Sequence, residues 1–181
     1  MDRSGAGADT TSIGMRTCLY YICLHPQVYR KLQKEIDDYY ETNGLHEPIS
    51  YSQTLGMPYL VAVAKEAMRL LPSIVYQLLR YCPENLSVGG KVIPAGTPVG
   101  VSPMAQNRDR DIWGPDADEF RPERWLESKE RTAYLDLNNM TFGGNGPRMC
   151  IGRNIALVSD FVRPLGHCDL PVSCILRMSP G

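Results

Sequence analysis

The chemistry of this chain is most visible at Cys150, which lies in a glycine-rich segment that begins at Phe142. A thiolate is a metal ligand, and glycines let the backbone approach a flat ligand closely and adopt positive φ. Backbone N–H groups of such a loop can point at the sulfur, and Arg148 carries a permanent charge that pairs with carboxylates. The layout suits a thiolate that binds a metal inside a mostly apolar pocket. The plainer alternative is a structural cysteine.

A second candidate is the run Ala-Gly-Ala-Asp-Thr-Thr at residues 6–11. Ala6 and Gly7 would leave a helix face narrow enough for a large ligand to approach. Asp9 and Thr10 place an acid and a hydroxyl there, which can relay protons or distort the helix locally. The alternative is a helix cap and first turn, where Asp and Thr are also favoured.

A third candidate is the pair Glu66 and Arg69, which are three residues apart and share one face of a predicted helix. Residues 120–125 offer further arginines, including Arg124, to the same carboxylate. A buried Glu–Arg–Arg cluster would tie a long loop to the helix, and it must be fully paired. The alternative is an exposed ion pair worth under about 1 kcal/mol.

Helices are predicted to position these residues in the first part of the chain. Apolar periodicity predicts a helix from about Ala6 to Leu24 and a second one from Pro26 that ends at Asn43 and Gly44. Ser50 and Gln53 resemble a capping box for a short helix. Pro58 begins a further helix that runs to about Leu71.

After Pro72 the pattern changes to short β-type runs separated by glycine and proline turns. These runs are Ile74 to Tyr81, Leu86 to Val88, Val92 to Ile93 and Val99 to Val101. Residues 109–122 are expected to form an ordered loop. A last helix is expected to begin near Cys150 or Ile151 and to end by about Val162. The predicted fold class is α+β, mainly helical with a small sheet.

The composition narrows the function classes. With 181 residues, a net charge of −1 and 43% hydrophobic residues, the chain suits one domain with a core. It is neither basic enough for a nucleic-acid surface nor charged enough for disorder. No apolar run is long enough for a membrane span, and no signal peptide is recognisable. The six cysteines and three histidines lack ligand spacing, which favours reduced thiols and makes a zinc site improbable.

Four motifs, taken in order, resemble the C-terminal half of a cytochrome P-450, a haem-thiolate monooxygenase. They are residues 6–11, the pair Glu66 and Arg69, residues 120–124, and residues 146–152. The resemblance covers about Gly5 to Leu157 and is greatest to microsomal fungal members. It implies a partial cytochrome P-450 fold in residues 1–157, followed by an aberrant tail at 158–181.

The resemblance also implies roles for individual residues. Cys150 would be the axial thiolate on the iron of haem b, and thiolate donation favours O–O cleavage. Asp9 and Thr10 would deliver protons on the distal side of the haem. Further residues would contact the haem, form a structural cluster or line the substrate pocket: Ala6, Gly7, Arg80, Phe142, Gly146, Arg148 and Gly152 for the haem; Glu66, Arg69 and Arg124 for the cluster; Ile74, Val75 and Tyr76 for the pocket.

For the full-length family, the resemblance implies an apolar small-molecule substrate, NADPH-cytochrome reductase as partner, no nucleic acid, and an endoplasmic reticulum membrane location. Three departures accompany it. Asn145 lengthens the step from Phe142 to Cys150 by one residue, the family's domain is more than twice as long as this chain, and Ser159 to Gly181 are unlike the family. We therefore expect a truncated or wrongly spliced chain, soluble or aggregated, without an anchor.

Two other functions remain open at this point. The chain would be a non-catalytic remnant if it held no haem. Alternatively, Cys150 would be a thiol nucleophile paired with His167, although no oriented third group is visible in the sequence.

Overall fold

The structure is a computed structural model that describes residues 3–45 and 50–157. Its first part contains four helices: α1 (Arg3–Leu24), α2 (Pro26–Asn43), α3 (Tyr51–Thr54) and α4 (Pro58–Leu70). Pro26 and Pro58 occupy first turns, where the missing N–H has no helical partner to lose. Gly44, at φ +58°, ends α2 in the left-handed conformation that glycine adopts without strain. These helices lie where periodicity predicts them.

The core lies between α1, α2 and α4. One face of α2, formed by Val28, Leu32 and Ile36, packs with α4 residues such as Leu60 and with residues of α1. A smaller apolar cluster on the other side of α4 contains Ala62, Trp113, Ala117, Trp125 and Leu135. α4 is therefore buried on both sides, which fixes the side chains that it carries.

The strands form two separate antiparallel pairs. β1 (Arg80–Tyr81) pairs with β4 (Pro98–Val99), and β2 (Leu86–Val88) pairs with β3 (Lys91–Ile93). The predicted strand from Ile74 to Tyr81 is wrong for residues 74–79, because β1 and β4 pair at only two positions. The fold class is nevertheless α+β, mainly helical, as predicted.

Residues 109–122, which are expected to form a loop, contain one short helix, α6 (Arg110–Trp113). α5 (Pro103–Gln106) precedes this segment, a 3-10 helix at Pro122–Leu126 begins at its last residue, and α7 (Lys129–Asn138) follows. The apolar pattern gives little sign of α7, because Leu135 is its one buried residue. Ser128 begins α7 by accepting a hydrogen bond from the Arg131 N–H at 3.0 Å.

Residues 153–157 are helical directly after the Cys150 loop, where the sequence predicts a last helix. The predicted end of that helix near Val162 lies outside the described residues, as do His167, Cys168 and Cys174. Within the ranges 3–45 and 50–157, no helix has the length and apolar character that crossing a bilayer requires.

Candidate functional site

The structure brings Glu66, Arg69 and Arg124 together, and all three side chains are completely buried. Arg69 is bidentate on Glu66, with its Nε and Nη2 each 2.9 Å from a carboxylate oxygen. The Nε of Arg124 donates to Glu66 Oε1 at 2.8 Å. Two guanidinium groups thus share one carboxylate in the interior.

Two further donors complete the shell around Glu66. The indole Nε1 of Trp125 donates to Oε2 at 2.9 Å, and the backbone N–H of Arg121 donates to Oε1 at 3.1 Å. Glu66 therefore accepts five hydrogen bonds. Sequence reasoning missed these two donors. A carboxylate has about four lone-pair sites, and the pair formed by Glu66 and Arg69 fills fewer than four of them. If the carboxylate is buried, further donors are therefore expected around it.

Both arginines also donate hydrogen bonds to backbone carbonyls of the loop that contains residues 107–117. Arg69 Nη1 donates to the carbonyl oxygens of Asn107 and Ala117 at 2.5 and 2.7 Å. Arg124 donates to the carbonyl oxygens of Trp113 and Asp116, each at 2.9 Å. The loop backbone is thereby held against α4 at points well separated along the sequence.

Asn107 extends this arrangement toward the cysteine loop. Its buried side chain donates to the carbonyl of Arg69 at 3.2 Å and accepts a hydrogen bond from the Met140 N–H at 2.8 Å. Thr141 adds a bond from its hydroxyl to the Met68 carbonyl at 3.2 Å. The segment that enters the cysteine loop is therefore positioned by α4.

Charge on the loop side is balanced by Asp116. Partial burial opposes its ionisation, but the hydrogen bond from Arg121 and the charge of Arg124 outweigh that effect and hold the pKa of this carboxyl below its usual value. The Arg121 Nε lies 2.5 Å from Asp116 Oδ2, and the Arg124 Nη1 lies 3.3 Å from Oδ1. Asp116 is thus the second carboxylate that neutralises the buried Arg124.

The cysteine loop folds back on itself through its glycines. Gly143, Gly144 and Gly146 have φ of +82°, +75° and +115°, a region that other residues rarely adopt. This path lets the Cys150 N–H donate to the Phe142 carbonyl at 2.9 Å. The N–H groups of Met149, Cys150 and Arg153 donate to carbonyl oxygens. These three groups are therefore occupied, and only other amides of the loop can act as the predicted donors to the sulfur.

Asn145 of this loop makes a contact outside the loop. Its side-chain amide donates to the carbonyl of Leu137 in the last turn of α7 at 2.7 Å. Helix C-terminal carbonyls have no partner within the helix, so this bond satisfies one of them. Asn145 therefore ties the cysteine loop to α7.

The surroundings of Cys150 fit a large apolar ligand held through sulfur. The thiol is exposed and reduced. A Cβ added at Gly152 would lie 3.8 Å from the sulfur, so the glycine leaves space on that side. Ile151 and Ile155 have relative exposures of 104% and 74%, which is unusual for isoleucine. Cysteine thiolate is one of the side chains that bind haem iron, so this accessible sulfur with exposed apolar neighbours is compatible with a haem.

The two arginines predicted to contact propionates are exposed and differ in their surroundings. Arg80 lies in β1, and its Nη1 donates to the carbonyl oxygens of Leu78 and Leu79. Arg148 lies two residues before the cysteine in the loop. Within the part of the chain that the structure describes, neither arginine forms an ion pair with a carboxylate, so both charges are available to an anionic group. Phe142 is partly buried against the core, with the Arg153 guanidinium 5.9 Å from its ring.

Asp9 and Thr10 lie within α1 rather than at its cap, because the helix begins at Arg3. Asp9 is exposed and Thr10 is half-buried. A Cβ added at Gly7 would meet no atom within 4 Å, which agrees with an open helix face, whereas the side chain of Ala6 lies outside the description. The cap-and-first-turn alternative is therefore wrong for this pair.

The predicted pocket residues lie in the extended segment after α4. Ile74 is half-buried, and Val75 and Tyr76 are exposed. Ser73, directly before them, donates its hydroxyl to the carbonyl of Thr10 at 2.7 Å. The structure therefore places this segment beside α1 at the turn that carries the acid and the hydroxyl. The pocket assignment includes Ser73, but no local pattern predicts its hydrogen bond to Thr10, because the two residues are 63 positions apart.

Comparisons of the sequence with known proteins show which family the chain belongs to. The family model described as cytochrome P450 matches residues 1–162. A cytochrome P450 monooxygenase of Aspergillus flavus is 39% identical over 84% of this chain and 30% of its own length. The monooxygenase cicH of Emericella nidulans is 43% identical over 83% of the chain and 30% of its own length. A pisatin demethylase of Fusarium vanettenii is 41% identical over 85% and 29%, respectively.

The chain thus spans a little under a third of the length of these three relatives. The family match extends over both the α1 motif and the cysteine loop, and it includes the whole of the buried Glu66 cluster. This chain belongs to the cytochrome P450 family.

Proposed function

We propose that this chain forms the haem-thiolate part of a monooxygenase that inserts one oxygen atom of O2 into an apolar organic substrate. The observation that carries the proposal is the exposed Cys150 thiol in its glycine loop, beside two exposed isoleucines, in a member of the cytochrome P450 family. Bound haem b supplies the O–O cleavage and oxygen-transfer chemistry, which thiolate donation favours.

In this proposal, residues of the chain bind the haem, supply protons and exclude water from the substrate. Cys150 would hold the iron of the haem, and Arg148 and Arg80 would bind its propionates by charge-assisted hydrogen bonds. Thr10 would hold a proton at its hydroxyl, and the exposed Asp9 would exchange protons with solvent. Exposed apolar side chains of the segment 74–76 face the substrate and exclude water from it.

The buried Glu66 cluster has a structural role in this proposal. It fixes α4 to the loop that leads into Met140 and so sets the position of the cysteine loop. For the full-length protein, we propose NADPH-cytochrome reductase as the electron donor and the endoplasmic reticulum membrane as the location, as in the family.

A haem titration tests this proposal through the propionate contact. Arg148→Gln removes one charge and should speed haem loss about tenfold, since a hydrogen bond to a charged group contributes about 1.5–3 kcal/mol. Arg110→Gln is the matched control, because Arg110 is also an exposed arginine but lies in α6 and faces Asp118. Stoichiometric haem uptake with faster loss only for Arg148→Gln supports the proposal. Failure of the unaltered protein to take up haem would favour the alternative that the chain is a non-catalytic remnant.

A further inference from the structure

A long-range hydrogen bond from a side chain to a helix carbonyl connects the pocket segment to α1. Ser73 Oγ lies 2.7 Å from the carbonyl oxygen of Thr10, and Ser73 is half-buried. Pro72, the residue before it, is buried behind the end of α4, so the chain cannot shift freely at this point. Ile74 follows directly and begins the proposed pocket lining.

The bond acts on the backbone of α1 in the turn that carries Asp9 and Thr10. A helical carbonyl at residue 10 accepts the N–H of residue 14 with one lone pair, so its second lone pair can accept the Ser73 hydroxyl while the helical bond remains. The carbonyl of Ala8, in the same turn, also accepts a hydroxyl, from Ser12 at 2.6 Å. The Ser73 bond therefore holds this turn from outside the helix, whereas the Ser12 bond lies within α1.

We propose that Ser73 is a positioning residue for this turn, which deepens the proposed function and rests on it. By holding the Thr10 carbonyl, the Ser73 hydroxyl fixes the peptide plane after Thr10 and hence the direction of the Thr10 side chain. The same bond fixes the distance between α1 and the pocket segment that starts at Ile74. The pocket wall and the proton-holding hydroxyl therefore move together.

Two nearly isosteric substitutions isolate the hydroxyl. Ser73→Thr keeps a donor, and Ser73→Val replaces it with a methyl group of the same size, so both add equal bulk. Ser12→Ala is the control, because it removes a hydroxyl-to-carbonyl bond of the same turn without involving the pocket segment.

The first measurement is amide hydrogen exchange in α1, with and without haem. For Ser73→Val we expect the amides of residues 10–14 to exchange about fivefold faster than in Ser73→Thr, which is the effect of one net hydrogen bond. Ser12→Ala should not accelerate them. Equal exchange in the Val and Thr variants would overturn the proposal.

The second measurement is the C–O stretching frequency of the ferrous carbon monoxide complex, which reports the groups facing the distal ligand. Ser73→Val should shift or split this band, and Ser73→Thr should match the unaltered protein. Faster exchange with an unchanged C–O band would show that Ser73 only braces the fold, which also overturns the positioning role. If the unaltered protein bound no haem, the proposed function would fail, while the exchange comparison would still decide whether the bond exists.

Discussion

Replacing Glu66 should destabilise the protein more than any other single change of a charged side chain in the cluster. The carboxylate accepts five hydrogen bonds and faces two guanidinium groups that are completely buried. Glu66→Ala leaves Arg69 and Arg124 in the interior without this counter-charge, and Arg124 retains only the more distant Asp116.

The magnitude follows from burial. Removing one partner of a buried ion pair costs about 3–5 kcal/mol, because a charge is left uncompensated in a poorly solvated site. The loss of the bonds from Trp125 and the Arg121 N–H places the expected cost at the upper end of that range. A domain of ordinary stability has about 5–15 kcal/mol in total, so much of the margin disappears.

Asp118 provides a matched control. It also lies between two arginines, with Arg108 at 3.4 Å and Arg110 at 3.6 Å, but its side chain is 59% exposed. Asp118→Ala should cost under about 1 kcal/mol. Both variants are compared by urea unfolding followed by circular dichroism, with Glu66→Gln as a milder change where Glu66→Ala yields insoluble protein. Equal unfolding free energies for the Glu66 and Asp118 variants would refute the reasoning.

Three further predictions concern other parts of the molecule. Thr10→Ala should leave substrate binding intact but divert electrons from product to peroxide, measured as product per NADPH in the full-length protein with its reductase. The pKa of Asp116 is lower in the folded state than in the unfolded state, so its carboxylate contributes fully to stability above about pH 4. This contribution is lost as the pH falls through the folded-state pKa. Asp116→Asn should therefore reduce the loss of unfolding free energy at acid pH, measured by urea unfolding. Gly144→Ala should weaken haem retention, because the residue has φ +75° and its Cβ would lie 2.8 Å from Met140 Sδ. Haem loss is followed by absorbance, with Gly90→Ala in the turn between β2 and β3 as the control, because Gly90 has φ +76° and its Cβ would meet no atom within 4 Å.

A different result would contradict each of these three predictions. Unchanged product per NADPH would reassign Thr10 to a structural role in α1. If the unfolding free energy of Asp116→Asn fell with acid pH in parallel with that of the unaltered protein, the hydrogen bonds of Asp116 would not depend on its ionisation. Haem retention equal in the Gly144 and Gly90 variants would show that the loop can rearrange around the added methyl group.

The helices and the fold class could be predicted because their signals are local. The positions of Pro26, Pro58 and Gly44 follow from the conformations that proline and glycine adopt, and the apolar face of α2 has the helical period. α7 was missed because it buries only Leu135, so its pattern is weak. Residues 74–79 were assigned to a strand on β-propensity, but a strand needs a partner, and β4 pairs with residues 80 and 81 only.

The candidate site was predictable in its residue types and less so in its contacts. A lone Glu–Arg pair on a helix gives no sign of burial. Only the fold shows that Trp125 and the backbone of Arg121 complete the shell of Glu66. The bond from Ser73 to Thr10 depends on the packing of α4 beside α1, which no pattern within either segment encodes.

The most direct test of the central claim is the absorption spectrum of the ferrous carbon monoxide complex after addition of haem, recorded for the unaltered protein, Cys150→Ala and Cys23→Ala. Cys23 is also a free thiol, half-buried in α1. We predict the red-shifted Soret band of thiolate ligation in the unaltered protein and in Cys23→Ala, and its absence in Cys150→Ala. A red-shifted band that survives in Cys150→Ala would contradict the account, because another residue would then hold the iron.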